Sequence, residues 1–331
     1  MNKLTPGKIR GLRQLADERG ILTVCAFDHR ESLQKALNEK NPESVSYRDM
    51  VEFKLDLCRA VGGSASAVLL DPLYGAAQAI ASGVLPGKTG LLVSLEKTGY
   101  TGESTARVTE LLPGWGVEKI KRLGASAVKL LIYFRPDLEE VAGKQLELVE
   151  RVAGQCIEYD LPLLVESVTY PTEEEKNSAG MFSERKPQLV LEAARQLTTL
   201  PIDILKSEFP ADIDYETDRA RMENYCRELS KASRLPWVLL SAGADFKRFK
   251  TEVEMACGNG ASGFMAGRAL WQEAAHIASR ETRMEFFRNT TVSRLEELKQ
   301  IADGTATPWY AGFGSRDGSF PEPAEGWYGT Y

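Results

Sequence analysis

Short runs of consecutive apolar residues alternate along this chain with longer stretches in which apolar positions recur every three or four residues. Eight runs read as strands: LTVCAFD (22–28), AVLLD (67–71), GLLVSLE (90–96), AVKLLIYF (127–134), PLLVESVTY (162–170), DILKSEFP (203–210), WVLLSAGA (237–244) and GFMAGR (263–268). Near-continuous apolar character is what parallel strands covered on both faces require. Amphipathic helical patterns lie between most of them, over Val45–Val61, Gly116–Leu123, Leu138–Tyr159, Lys186–Leu197, Tyr215–Ser233 and Phe246–Asn259. The segment between the second and third runs is shorter and its pattern weaker. Eight strands with helical crossovers over roughly 250 residues predict an α/β protein of the (β/α)8 TIM-barrel class. A doubly wound sheet is the alternative, but no GxGxxG follows the first run.

The flanks extend this picture. Leu4–Gly20 reads as a helix across the barrel bottom, and Arg268–Asp303 as a long helical region closing the unit. Residues 1–303 are therefore expected to form one barrel domain. Residues 304–331 change composition to Gly, Pro and aromatics, with Trp309, Tyr310, Phe313, Phe320, Trp327, Tyr328 and Tyr331. Aromatics at that density suggest docking onto the barrel or a neighbouring subunit; the alternative is a loose tail.

Lone charges interrupt three of the apolar runs: Lys129, Glu166 and Lys206. Lysine is almost never buried without a partner or a task. Side chains alternate along a strand, so Ile204, Lys206 and Glu208 share one face, and Leu205 and Phe209 the other. The charged face points into the barrel. A desolvated lysine can act as a neutral nucleophile and form a Schiff base with a carbonyl. A second ammonium, Lys129, disfavours charge on Lys206, and a carboxylate at Glu166 can shuttle protons. A structural reading remains for each residue alone, such as a Lys206–Glu208 ion pair lining the barrel.

Other polar residues fall at the C-terminal ends of strands, the catalytic face of this fold: Asp28, Asp71, Glu96 and Arg268. Asp28-His29-Arg30-Glu31 ends the first run and suits substrate hydroxyls or a second anion; the plain alternative is a helix cap. Ser241 and Gly243 end the seventh run, Gly267 and Arg268 the eighth. Small residues let backbone N–H groups approach a phosphate, and an arginine fork binds it. Glu208 is a further candidate for substrate contact.

Composition narrows the function classes. A net charge of −6 without a long basic block argues against nucleic acid as partner. No run of about 18 apolar residues suggests a membrane span, and Met1–Arg13 lacks a signal pattern. Five scattered cysteines with no CxxC pair are expected as reduced thiols in a cytoplasmic protein. Two histidines, His29 and His276, leave no histidine pair at metal-ligand spacing, so no metal site is expected.

The runs AFDHRESL, AVKLLIYF, LLVESVTY, DILKSEFP, WVLLSAG and GFMAGRALWQ, in that order, resemble the class I tagatose-1,6-bisphosphate aldolase family of the LacD type. The resemblance spans roughly residues 8–310. It implies a Schiff-base lysine at Lys206, an acid/base glutamate at Glu166, an assisting lysine at Lys129, and phosphate contacts at Ser241, Gly243 and Arg268. It further implies a phosphorylated ketose substrate, no cofactor beyond the covalent Schiff base, and a homodimer or homotetramer. The first-strand motif departs from the Asp-Gln-Arg of many members, since His29 stands in the middle position. The DHRESL stretch also resembles a branch that cleaves sulfofructose 1-phosphate. A sugar-phosphate-sensing binding protein is the alternative of another class.

Overall fold

The computed structural model describes residues 4–178, 180–329 and 331. Residues 1–3 and Ala179 of the expected barrel unit and Thr330 of the expected tail lie outside them. Eight parallel strands close into a barrel in sequential order: β1 Leu22–Ala26, β2 Ala67–Leu70, β3 Gly90–Ser94, β4 Ala127–Tyr133, β5 Leu163–Val168, β6 Ile204–Ser207, β7 Trp237–Leu240 and β8 Gly263–Ala266. Each lies inside a run expected from the sequence. The helices in chain order are α1 Pro6–Leu15, α2 Glu31–Leu37, α3 Tyr47–Val61, α4 Ala76–Ala81, α5 Val117–Arg122, α6 Glu139–Glu158 and α7 Glu173–Asn177. They continue with α8 Met181–Leu197, α9 Arg219–Ala232, α10 Phe246–Cys257, α11 Arg268–Trp271, α12 Arg280–Phe286 and α13 Val292–Thr305.

Two hydrophobic clusters divide the strands by side-chain parity. Val128, Leu130, Val165, Leu205 and Leu239 pack outward against the helices. Ala127, Leu164, Ile204, Val238 and Met265 fill the barrel interior. Two positions along the same inward face from Ala127, Leu164 and Ile204 stand Lys129, Glu166 and Lys206. The apolar layer thus ends where the charged layer begins.

The barrel bottom is sealed twice. In α1 the Thr5 hydroxyl caps the first turn and Pro6 opens it, and Leu12 and Leu15 plug the interior cluster. This helix is shorter than the expected Leu4–Gly20. Asp17 Oδ1 accepts the N–H groups of Arg19 and Ile21 at 3.0 and 2.8 Å and turns the chain toward β1. Trp309 joins the same cluster, stacks on Phe320 with ring centroids 5.7 Å apart, and donates its backbone N–H to Gly20 O. The aromatic segment therefore docks beneath the barrel, away from the mouth.

The long helical region expected over Arg268–Asp303 is helical in several pieces. After α11 come a 3₁₀ turn at Gln272–His276, α12, a π-helical segment at Phe287–Thr291 and α13. The Ser279 hydroxyl accepts the Thr282 N–H and starts α12 afresh, as N-capping serines do. Among the described residues, no helix is long and apolar enough to cross a membrane. All five cysteines are buried and unpaired.

Candidate active site

Strand register decides which charges meet. Glu166 on β5 pairs with Lys206 on β6, and Leu131 on β4 pairs with Glu166. Glu166 Oε2 lies 2.9 Å from Lys206 Nζ and 3.0 Å from Lys129 Nζ. One carboxylate oxygen is shared between two buried ammonium groups. Lys129 Nζ also donates to Asp28 Oδ2 at 2.8 Å and Glu96 Oε1 at 2.7 Å. Burial opposes the charge on Lys129, but Asp28, Glu166 and Glu96 together raise its pKa well above the ordinary lysine value. Burial likewise pushes the Glu166 and Asp28 carboxyls up, and the lysines outweigh it and hold both below the usual range.

This geometry corrects the simplest expectation for Lys129. It is not a bare cation beside Lys206, because three carboxylates surround it and Glu166 stands between the two lysines. The Lys206–Glu208 ion pair is absent as well. Glu208 Oε2 instead accepts from the Thr169 N–H and hydroxyl at 2.6 and 2.8 Å, and Oε1 lies 4.0 Å from Lys186 Nζ. Nor does Asp28 cap α2: Arg30 occupies that position and makes no side-chain cap bond.

These side chains line a cavity of about 390 Å³ at the C-terminal mouth of the barrel, a volume in the range of small-molecule sites. Arg30 reaches from the β1 end to the β3 end and donates from Nη2 to the Glu96 carbonyl at 2.8 Å. Among the described residues neither Arg30 nor Arg268 forms an ion pair within 4.0 Å. Arg30 is buried and Arg268 partly buried, and a buried guanidinium normally has such a partner.

The β7 and β8 ends form the opposite wall. Ser241 Oγ accepts the Gly267 N–H at 3.2 Å. Gly243 has φ +78°, and a Cβ there would lie 2.8 Å from Arg268 Nη2. Ala242 beside it holds φ +45°, a conformation costly for a residue with a side chain. Arg268 Nε is buried and has no hydrogen-bond partner among the described residues; burial lowers the pKa of its guanidinium. His29 stands next to this wall. Burial depresses its imidazole to about 4; Asp28 works against this, while Arg268, Lys54 and Lys206 add to it.

Several residues of this site were not assigned a role from sequence. Glu96 lies at a strand end, as expected, but its part as a hub was not legible. It contacts Lys129 and also accepts the Leu131 N–H at 3.0 Å. Lys54 donates to the carbonyls of Phe27 and His29, both at 2.7 Å, and pairs with Asp71. Asp71, expected on the catalytic face, is therefore buried scaffold that fixes the β1 end. A signal existed: Lys54 falls on the apolar stripe Met50, Phe53, Leu57, Val61. The segment after β3 folds back through antiparallel bridges Glu96–Leu111 and Thr101–Val108. Arg107 anchors it, with its guanidinium 4.7, 5.5 and 4.9 Å from the rings of Tyr100, Tyr133 and Tyr170. Lys97, Thr98, Gly99 and Tyr133 thereby join the cavity wall.

Residues 22–273, from the first strand to past the last, match the family model described as DeoC/LacD family aldolase. The chain belongs to the DeoC/LacD family of aldolases. This aldolase is 31% identical to tagatose 1,6-diphosphate aldolase of Lactococcus lactis subsp. lactis, over 92% of the chain and 98% of the relative. It is 32% identical to tagatose 1,6-diphosphate aldolase of Streptococcus agalactiae serotype V, with the same coverage. Among solved structures it is similar in fold to a Schiff-base-forming fructose-1,6-bisphosphate aldolase, with a TM-score of 0.58, 23% identity, and coverage of 85% of this chain and 97% of that one.

Proposed function

We propose that this aldolase is metal-independent and cleaves D-tagatose 1,6-bisphosphate to dihydroxyacetone phosphate and glyceraldehyde 3-phosphate through a Schiff base on Lys206. The observation that carries the reading is the Glu166 carboxylate shared between Lys206 and Lys129 inside a cavity whose opposite wall presents Arg268 with no ion-pair partner among the described residues. The neutral form of Lys206 attacks the C2 ketone. Loss of water from the carbinolamine gives an iminium, which takes up the electron pair as the C3–C4 bond breaks. Glu166 gives up and receives the protons at the carbinolamine and the C4 hydroxyl. Lys129, charged and held by Asp28 and Glu96, keeps Glu166 ionised and fixed against Lys206.

Ser241, Gly243, Gly267 and Arg268 hold the phosphate at C1 in this reading. Arg30, with Lys97 near it at the β3 end, faces the distal anion. Glu208, locked by Thr169, meets a sugar hydroxyl. The relatives' names support tagatose bisphosphate as substrate. A panel of tagatose, fructose, sorbose and sulfofructose phosphates, compared by kcat/KM, tests that choice; a preference for another ketose of at least about tenfold overturns it while leaving the chemistry intact.

Two expected results test the chemistry itself. Activity survives exhaustive EDTA treatment, because the iminium is the electron sink; loss of activity restored by zinc points to another mechanistic class. Arg268→Ala lowers kcat/KM by about 2–5 kcal/mol, the scale for removing one partner of a buried charged contact. On a substrate lacking the 1-phosphate the same substitution costs little, since the contact is already gone. An equal penalty on both substrates assigns Arg268 to holding the barrel.

A further inference from the structure

We propose that His29 is a further anion-binding group of the wall formed by Ser241, Gly243, Gly267 and Arg268, and that a tetrahedral dianion seated there brings a proton from solvent onto its imidazole. The inference rests on the phosphate reading of that wall. His29 is placed for it by packing. Its ring stands edge-on to Trp271 with centroids 5.1 Å apart, and Trp271 is fixed by its indole N–H on the Ala26 carbonyl at 3.1 Å. A Cβ on Gly267 would lie 3.1 Å from His29 Cε1 and 3.5 Å from Ser241 Oγ. The imidazole edge and the Ser241 hydroxyl thus border the same glycine.

The other edge meets a carboxylate. His29 Nδ1 is buried, has no hydrogen-bond partner among the described residues, and lies 3.8 Å from Asp28 Oδ1. The charged groups around the ring are Asp28 on its own strand end, Lys54 from α3, Arg268 from α11 and Lys206 from β6. Without an anion, burial and the three cations outweigh Asp28, and the ring is neutral at neutral pH. A dianion beside Arg268 reverses the balance where His29 Cε1 borders Gly267. The ring then has a negative group on both sides, and the imidazolium, with both nitrogens donating, is the favoured form. The site would read the charge of the anion as well as its shape: a dianion gains a further donor, and a monoanion draws the proton less strongly.

The chain has two histidines, so proton NMR of the imidazole Cε1–H signals tests this directly on the intact protein. His276 lies at the exposed end of its 3₁₀ turn, and His276→Gln identifies its signal. Inorganic sulfate is the probe, because it carries both charges throughout pH 5.5–8 and has no proton of its own to exchange. Without sulfate the His29 signal is expected to stay at the neutral position over this range. With saturating sulfate it moves toward the imidazolium position, its midpoint raised from about 4 into this range, a rise of about two pH units or more. Arg268→Gln loses that response at the same sulfate concentration. If sulfate competes with substrate in the wild type but not in Arg268→Gln, and the His29 signal does not move, the anion binds without the proton. This inference then fails and the phosphate reading stands. Sulfate competition undiminished in Arg268→Gln overturns both.

Discussion

Lys206→Arg abolishes turnover while leaving the fold in place. Arginine does not give up its proton in a protein, so no neutral amine is present to attack the ketone. It still offers a cation to Glu166, whose carboxylate sits 2.9 Å from the native ammonium. The buried charge cluster therefore keeps its balance, and the thermal midpoint stays within a few degrees of wild type. That separation matters, because deleting one partner of a buried pair destabilises by about 3–5 kcal/mol and would confuse lost chemistry with lost folding. Lys206→Ala is the harsher companion and loses turnover as well. Borohydride with substrate adds mass to the wild type at Lys206 and to neither variant. An adduct on Lys129 or another lysine transfers the nucleophile's role to that residue. Wild-type protein that turns over substrate without forming any adduct rules out the Schiff base.

Much of the architecture was legible because parallel barrel strands are dry on both faces. AVKLLIYF and PLLVESVTY are too apolar to be anything but interior, and a charge inside such a run is visible at once. Short helices were less legible. α2, α4 and α7 have seven, six and five residues, under two turns each, too few for an apolar stripe to repeat. The break at Ser279 was hidden for the opposite reason. Apolar residues continue on both sides of it, while a 3₁₀ turn at Gln272–His276 and non-helical residues 277–279 make the break that the Ser279 cap ends.

The site was legible as a set of positions and much less as a set of pairs. Strand parity aimed Lys129, Glu166, Lys206 and Glu208 inward, but parity says nothing of register. Register is what sets Glu166 beside Lys206 and leaves Glu208 two residues further up, where Thr169 takes it. Glu96 and Lys129 are 33 residues apart in sequence, and nothing local predicts that they touch. Arg30 appeared as one member of a polar quartet. Only the fold shows it reaching the carbonyl of Glu96.

Glu166→Gln cuts kcat by ~10²–10⁴, the scale for losing a positioned general acid/base. The amide has nearly the shape of the carboxylate and keeps a hydrogen-bonding oxygen, so the cavity is preserved. What disappears is the anion that lies within 3.0 Å of both ammonium groups. Lys129 retains Asp28 and Glu96 and stays charged. Lys206 loses its sole ion-pair partner within 4.0 Å among the described residues, and the group that relays protons during carbinolamine formation. Schiff-base formation, followed as the rate of borohydride trapping, is therefore expected to slow together with cleavage. Slowed cleavage with unchanged trapping confines Glu166 to the C4 hydroxyl proton. A kcat within a factor of about three of wild type shows that Glu166 is a structural bridge between two lysines. Glu208 then becomes the candidate base, since its Oε2 is held by Thr169 and the residue lines the same cavity.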